Sequence, residues 1–432
     1  MTEVVEGRSG ALTRRRVDIG SVGPRRAVDA LAMYAFVVLG LPDGMLGTAW
    51  PALRHGFGVP LDGLGIILLL GTAGAVCTSS VSGVVLARIG LRPTLMLAGA
   101  LGALGALVAI LSPAFWTFAL GGTATGMTAG LLDSSLNSAV ALARRNRLLN
   151  ALHGCYGIGT TIGPLVVTAA ILAVSWRPAY AVLLLAELGL VAGWWAVGRR
   201  GRRSPIRAAP PEEPLPAGPP APGPKPAPAE VGPVITGREP VPRRRLVTTV
   251  SLGLVVFMLY TGFEVSAGQW GPSFDRGPLE LGAAATGIAT FGYWAALTVV
   301  RFALAAPRRP LSQRSIVNLG CAIAIVGAAL VWWRPTAVVA VLGLVVIGGA
   351  LAGVFPALVV LTPARVGEEV AHHVIGWQIA AASLGGAAIS AAFGAVFQRY
   401  GLEYFGPALV IAGVLTMVGV LVLERVSAIQ PR

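Results

Sequence analysis

The sequence predicts an all-α integral membrane protein: twelve transmembrane helices arranged as two pseudo-symmetric six-helix bundles. Three observations predict it. Of the 432 residues, 55% are hydrophobic and only 12% charged, with a mean hydropathy of +0.74, whereas soluble domains carry about 25% charged residues. Apolar runs of about twenty residues, enough to cross roughly 30 Å of hydrocarbon, recur twelve times. The basic residues sort onto alternate loops, as expected when both termini are cytoplasmic.

In chain order, the arm 1–26 is polar and arginine-rich and is expected in the cytoplasm. Its successor, the run 27–53, is much longer than the apolar core of a signal peptide, about 7–15 residues. It therefore reads as a retained first helix. Further runs at 62–86, 93–111, 115–142, 149–174 and 177–198 complete the first bundle, 27–198. The segment 199–245 holds 14 of the 31 prolines, between the basic clusters RRGRR and PRRR. Such composition cannot form a core and reads as a disordered cytoplasmic tether. The second bundle, 246–424, follows with runs at 246–272, 280–305, 315–333, 336–362, 370–397 and 402–424, before a cytoplasmic tail, 425–432.

Of the 33 Lys and Arg, 28 fall on the loops assigned to the inside. The other five (Arg54, Arg177, Arg276, Arg334 and Arg399) fall one to a loop on the outside. The net charge of +14 is thus a topological signal, and no nucleic-acid partner is implied. Cys77, Cys155 and Cys321 are odd in number and lie within spans, so they read as packing residues. There is no H-E-x-x-H, G-x-S-x-G or phosphate-binding loop, so neither an enzyme nor an ATP-driven pump is indicated. No cofactor or metal is expected. Should the chain move a solute, its energy source would be an ion gradient, here a proton gradient, or the movement would be passive.

The halves repeat faintly. Asp43-Gly44-Met45-Leu46-Gly47-Thr48-Ala49-Trp50-Pro51 in the first run parallels Glu264-Val265-Ser266-Ala267-Gly268-Gln269-Trp270-Gly271-Pro272 in the seventh. Each has a carboxylate, a glycine four residues on, then tryptophan and proline. Matching polar residues in paired halves point to a binding site between repeats.

Further motifs are Asp133-x-x-x-Asn137 in the fourth run, LNALHGCYGIGTTIGP in the fifth and GALAGVFPALV in the tenth. With these the chain resembles the major facilitator superfamily, more narrowly its fucose-permease-like sugar/proton symporter branch. The superfamily's gating loop after the second helix is partly present in GVVLARIGLR: Gly83, Arg88, Gly90 and Arg92 fit, while Ala87 and Leu91 depart from it.

Intramembrane carboxylates are costly and default to function. Asp133, Glu264, Asp43 and His153 are the candidate proton-coupling groups. The alternatives are a packing pair for Asp133 with Asn137, an acid satisfied by backbone for Glu264, a helix-break cap for Asp43 and a carbonyl cap for His153. Asn137, Tyr156, Tyr260, Trp270, Trp377 and Gln378 are candidate substrate contacts, the aromatics offering a stacking face; packing is the alternative for Trp377 and Gln378. Arg301 reads as a gate charge at the cytoplasmic interface. His372 and His373, beside Glu368 and Glu369, read as a solvated cluster, and Glu187 is assigned no role.

The resemblance implies alternating access by a monomer in the plasma membrane, taking up a sugar or similar hydroxylated molecule with protons. A proton-driven exporter of drugs or metabolites and a non-transporting receptor or scaffold are the alternatives.

Overall fold

The computed structural model describes residues 25–143, 145–203, 243–305 and 311–427. Most of the arm 1–26, the tether and the tail lies outside the described residues. The first half contains α1 (Arg25–Phe57), α2 (Gly63–Ile89), α3 (Leu91–Leu111), α4 (Phe115–Leu142), α5 (Asn146–Ala173) and α6 (Arg177–Arg203). The second contains α7 (Arg243–Arg276), α8 (Ala283–Ala305), α9 (Gln313–Trp333), α10 (Ala337–Leu351), α11 (Val354–Val366), α12 (Glu368–Tyr400) and α13 (Phe405–Ser427), with a single 3-10 turn at Leu402–Tyr404. No strand occurs among the described residues.

Eleven segments are long and apolar enough to cross a membrane. The twelfth, α4, falls short because glycine, threonine and serine fill it. The expected tether is shorter at both ends than its composition suggested. α6 continues to Arg203 and α7 begins at Arg243, since arginine is a good helix former.

The tenth predicted span is two helices. Pro356, in the first turn of α11, has no N–H to give to the Ala352 carbonyl four residues back. The chain breaks at Ala352–Gly353, and α10 and α11 together make the one span Ala337–Val366. The freed carbonyls are taken by side chains: Tyr260 donates to Leu351 O at 3.0 Å and Arg301 Nε donates to Ala352 O at 3.2 Å.

Packing repeats between the halves. α1 packs on α5, α2 on α4 and α3 on α4 and α6; correspondingly α7 packs on α12, α8 on α10 and α9 on α10 and α13. The bundles then meet through α5–α8, α2–α12 and α1–α7. Lipid supplies no hydrophobic drive between helices, so small residues set the approach. A Cβ on Gly126 of α4 would run into the Gly71 carbonyl of α2. Only glycine allows that crossing.

Candidate functional site: a polar cavity between two bundles

The bundles touch at the end remote from the tether, and α5 and α8 stay in contact toward the tether side, where a Cβ on Gly154 would meet the Phe302 ring. At the far end Leu61 N donates to Gln398 Oε1 at 2.6 Å, and deeper between the bundles Gln269 Nε2 donates to the Asp43 carbonyl at 2.8 Å. Gly65 there abuts Ala391. Below this closure lies a cavity of about 660 Å³, reaching Ser79 and Ser80 of α2, His153 of α5 and Gly376 of α12, all in the tether-side halves of their helices. The cavity thus extends into the tether-side half and is capped at the other end.

The first bundle supplies most of the lining. Asp43, Asp133, His153, Tyr156 and Glu187 face the cavity among Phe36, Ile67, Phe118 and Tyr180. The second bundle adds Phe355 of α11 and Gly376, Ile379, Ala380 and Ser383 of α12. Asp43 is open to the cavity although it lies inside the bundle, about 21 Å from the far end of α1 at 1.5 Å per residue. Glu264 and Glu187 lie at similar depth, about 18 and 15 Å from the far ends of α7 and α6. Asp133 is deeper, about 27 Å along α4.

The acids have different partners. Tyr156 of α5 donates to Asp43, and Tyr260 is hydrogen-bonded to Glu264 one turn away. Tyr293 donates to the Glu264 carbonyl at 2.8 Å. Tyr156 is within electrostatic reach of Asp43, Glu264 and Arg301 together, so it joins the two halves. On α4, Asn137 Nδ2 donates to Asp133 Oδ1 at 2.9 Å. His153 feels the charges of Asp133 and Arg301 and meets the Phe36 ring edge-on at 5.6 Å. Asp133, His153, Arg301, Glu264, Tyr156 and Asp43 therefore lie within electrostatic reach of one another, with the direct side-chain bond at Tyr156–Asp43.

Several expected contacts are placed elsewhere. Trp270 is wholly buried: its indole N–H goes to Ser390 of α12 (2.9 Å to O), and its ring packs on Phe397. It is a strut between α7 and α12, because a buried Trp must place its one donor within the protein. Gln378 is also buried, its Oε1 accepting from Thr362 Oγ1 at 2.9 Å, so it ties α12 to α11. Trp377 is 57% exposed and absent from the cavity lining. One residue of rotation on a helix, about 100°, separates it from the cavity-lining Gly376. Asn137 spends its amide on Asp133, and its Oδ1 is buried with no partner among the described residues. Glu264 and Tyr260 stand behind the lining, against the break in the tenth span.

Arg301 stands close to the broken span. It is half-buried and bound to the broken span, and its charge acts on Glu264, Tyr260, Tyr293, Tyr156 and His153. It lies about 6 Å from the tether-side end of α8 and holds the break in the tenth span. In the gating loop, Gly90 carries φ 85° between α2 and α3, and Gly83 and Arg88 are exposed. Arg92 donates from Nε and Nη2 to the carbonyls of Trp194 (2.8 Å) and Trp195 (3.0 Å), so it holds the tether-side end of α6 within one bundle. His372 and His373 are exposed with ring centroids 3.8 Å apart.

The sequence reading missed three features. Arg145 forms a two-pronged ion pair with Asp29 at 2.5 Å, fixing the α4–α5 turn to α1. Tyr293 reaches Glu264 from α8. Glu187 borders the cavity with Oε2 unpaired among the described residues.

Two pseudo-symmetric bundles around a central cavity shut at one end define a membrane transporter rather than an enzyme. The sequence profile of the Major Facilitator Superfamily matches residues 32–390, and the chain belongs to that superfamily. Among solved structures it is similar to a D-xylose-proton symporter, with TM-score 0.70 and 13% identity over 92% of this chain and 97% of that one. It is also similar to a mutant form of the nucleoside transporter NupG, with TM-score 0.69 and 12% identity over 92% and 98%. The xylose transporter XylE from E. coli, in an inward-open conformation, gives TM-score 0.66 and 13% identity over 93% and 96%. At such identities the likeness is one of fold. A search of curated proteins finds no match.

Proposed function

We propose that this transporter works by proton-coupled alternating access and takes up a sugar or similar hydroxylated small molecule. The observation that carries coupling is the Tyr260 hydroxyl. It contacts both the Glu264 carboxylate and the Leu351 carbonyl, yet a hydroxyl has one proton to donate. Both contacts are hydrogen bonds at once only when Glu264 carries a proton and donates to Tyr260. Deprotonation makes the two acceptors compete at the break in the tenth span, which gives the proton a mechanical consequence. Asp43, sharing Tyr156 with this network, and Asp133 with His153 are further carriers on the same route.

Neighbours described as a D-xylose-proton symporter and a nucleoside transporter favour a hydroxylated solute. With basic loops placed inside, the cavity opens to the cytoplasm, the protein lies in the plasma membrane with both termini cytoplasmic, and the monomer is the transporting unit. A second reading, proton-driven export of amphipathic compounds, draws on the apolar surface of Phe36, Ile67, Leu68 and Phe118 in the lining.

Proteoliposome uptake across an imposed proton gradient tests coupling. Accumulation should vanish with a protonophore and in Glu264→Gln, with counterflow exchange surviving in the variant. Wild-type uptake indifferent to the gradient would remove proton coupling. Orientation is read by cysteines: one introduced at Ala221 should be protected from impermeant thiol reagents in intact cells, and one at Gly277 labelled. The reverse pattern would invert the topology.

A further inference from the structure

Glu187 is the acid that the network leaves out. It projects from the middle of α6, is 2% exposed, and borders the central cavity. Its Oε2 is buried with no partner among the described residues. Asp43 has the Tyr156 hydroxyl, Asp133 the Asn137 amide and Glu264 the Tyr260 hydroxyl. A buried acid without a partner stays neutral, and it carries charge only when paired; a cationic group arriving with the solute is the partner that would let Glu187 ionise.

Its surroundings describe that group. α3 presents Gly102, where a Cβ would collide with the Glu187 carboxylate, so the acid packs directly on bare backbone. α1 presents Tyr34, whose hydroxyl donates to the Ala186 carbonyl at 2.9 Å and is already committed. Tyr180 and Leu183 lie on the same side of α6 at the cavity wall. The Tyr180 ring meets Phe118 edge-on at 5.3 Å. Aromatic rings attract organic cations by their negative faces. Around the whole cavity, three carboxylates (Asp43, Asp133 and Glu187) face it, with His153 as the one basic residue in the lining among the described residues.

The geometry points to Glu187 as the anchor for a protonated amine on the transported molecule, which makes the substrate class a hydroxylated organic cation such as an aminosugar or amino alcohol. This rests on the reading of the cavity as the site for a hydroxylated solute, and sharpens it. The ammonium donates to Glu187, while the rest of the molecule runs toward the Tyr180 and Phe118 rings and its hydroxyls meet the serine and threonine side chains of α2 and α4.

The test uses the purified full chain and a matched panel: glucosamine, galactosamine and amino alcohols beside their neutral N-acetylated counterparts, and glucose. Ligand-induced thermal stabilisation and proteoliposome counterflow are the readouts. At least one amine should bind tenfold or more tightly than its N-acetylated counterpart. Glu187→Gln, which keeps shape and hydrogen bonding, should erase that preference while keeping its unliganded melting temperature. Gly102→Ala, which crowds the carboxylate, should weaken the amine and spare the neutral sugar. Neutral sugars that bind as well as their amines, or a preference that survives Glu187→Gln, would overturn the amine anchor and leave the sugar reading standing. A protein that neither binds nor transports any member of either class would overturn both.

Discussion

The two halves share one packing plan and use it differently. In the first bundle the acids Asp43, Asp133 and Glu187 face an open cavity. In the second, Glu264 stands behind the lining, held by Tyr260 and Tyr293 and within reach of Arg301, beside a span broken at Ala352–Gly353. The difference teaches a division of structure: one half lines the cavity with its acids, the other ties charge to the backbone of a discontinuous helix. Discontinuous helices do this because their freed carbonyls need partners in a medium without water.

The comparison breaks most completely at Arg301. Arg301→Gln removes the cation that acts on both halves and a charged hydrogen bond to Ala352, a type of contact contributing about 1.5–3 kcal/mol. Gradient-driven transport should fall by about 10- to 100-fold, as the same energy implies, with protein still inserted. Activity within a factor of two of wild type would show that the second half does not need its charged strap.

At the crossing within the first half, Gly126→Val forces side-chain atoms into the Gly71 carbonyl, and such overpacking costs typically about 1–3 kcal/mol. A lower melting temperature and weaker expression are the expected outcome. A variant as stable as wild type would mean that the α2–α4 contact is looser than the structure has it.

A smaller effect sharpens the link between the halves. Tyr156→Phe removes the hydroxyl given to Asp43 while keeping the ring; a hydrogen bond to a charged group contributes about 1.5–3 kcal/mol. Coupling should suffer more than binding: the ratio of gradient-driven uptake to counterflow should drop. An unchanged ratio would separate Asp43 from the network.

Smallest are the tryptophans. Trp270→Phe loses the indole bond to Ser390, worth about 1 kcal/mol, and should lower the melting temperature by a few degrees without changing solute affinity. Trp377→Ala, on an exposed face, should change neither; weaker binding there would restore the stacking role that the structure withdraws.

Much of the architecture was legible in the sequence because the bilayer imposes one simple rule on length and polarity. Twelve runs, two halves and the depths of Asp43 and Glu264 follow from counting residues. The break in the tenth span was also within reach, since Gly353 and Pro356 stand inside an apolar run. Rotation about each helix was not. Trp377, Gln378 and Ile379 are consecutive, yet they are respectively exposed, buried against Thr362 and at the cavity wall.

The sequence by itself determined how many times the chain crosses and which residues carry charge at which depth, because hydropathy and helix rise act locally along the chain. Only the tertiary structure decided which charge meets which. It put Arg301 beside the Ala352 carbonyl freed by Pro356, gave Trp270 to Ser390, and left Glu187 beside the cavity with an unpaired oxygen among the described residues. Those outcomes depend on the angle at which each helix turns toward its neighbours. That angle is set by glycine crossings such as Gly126 on Gly71, where two distant segments of chain must fit each other.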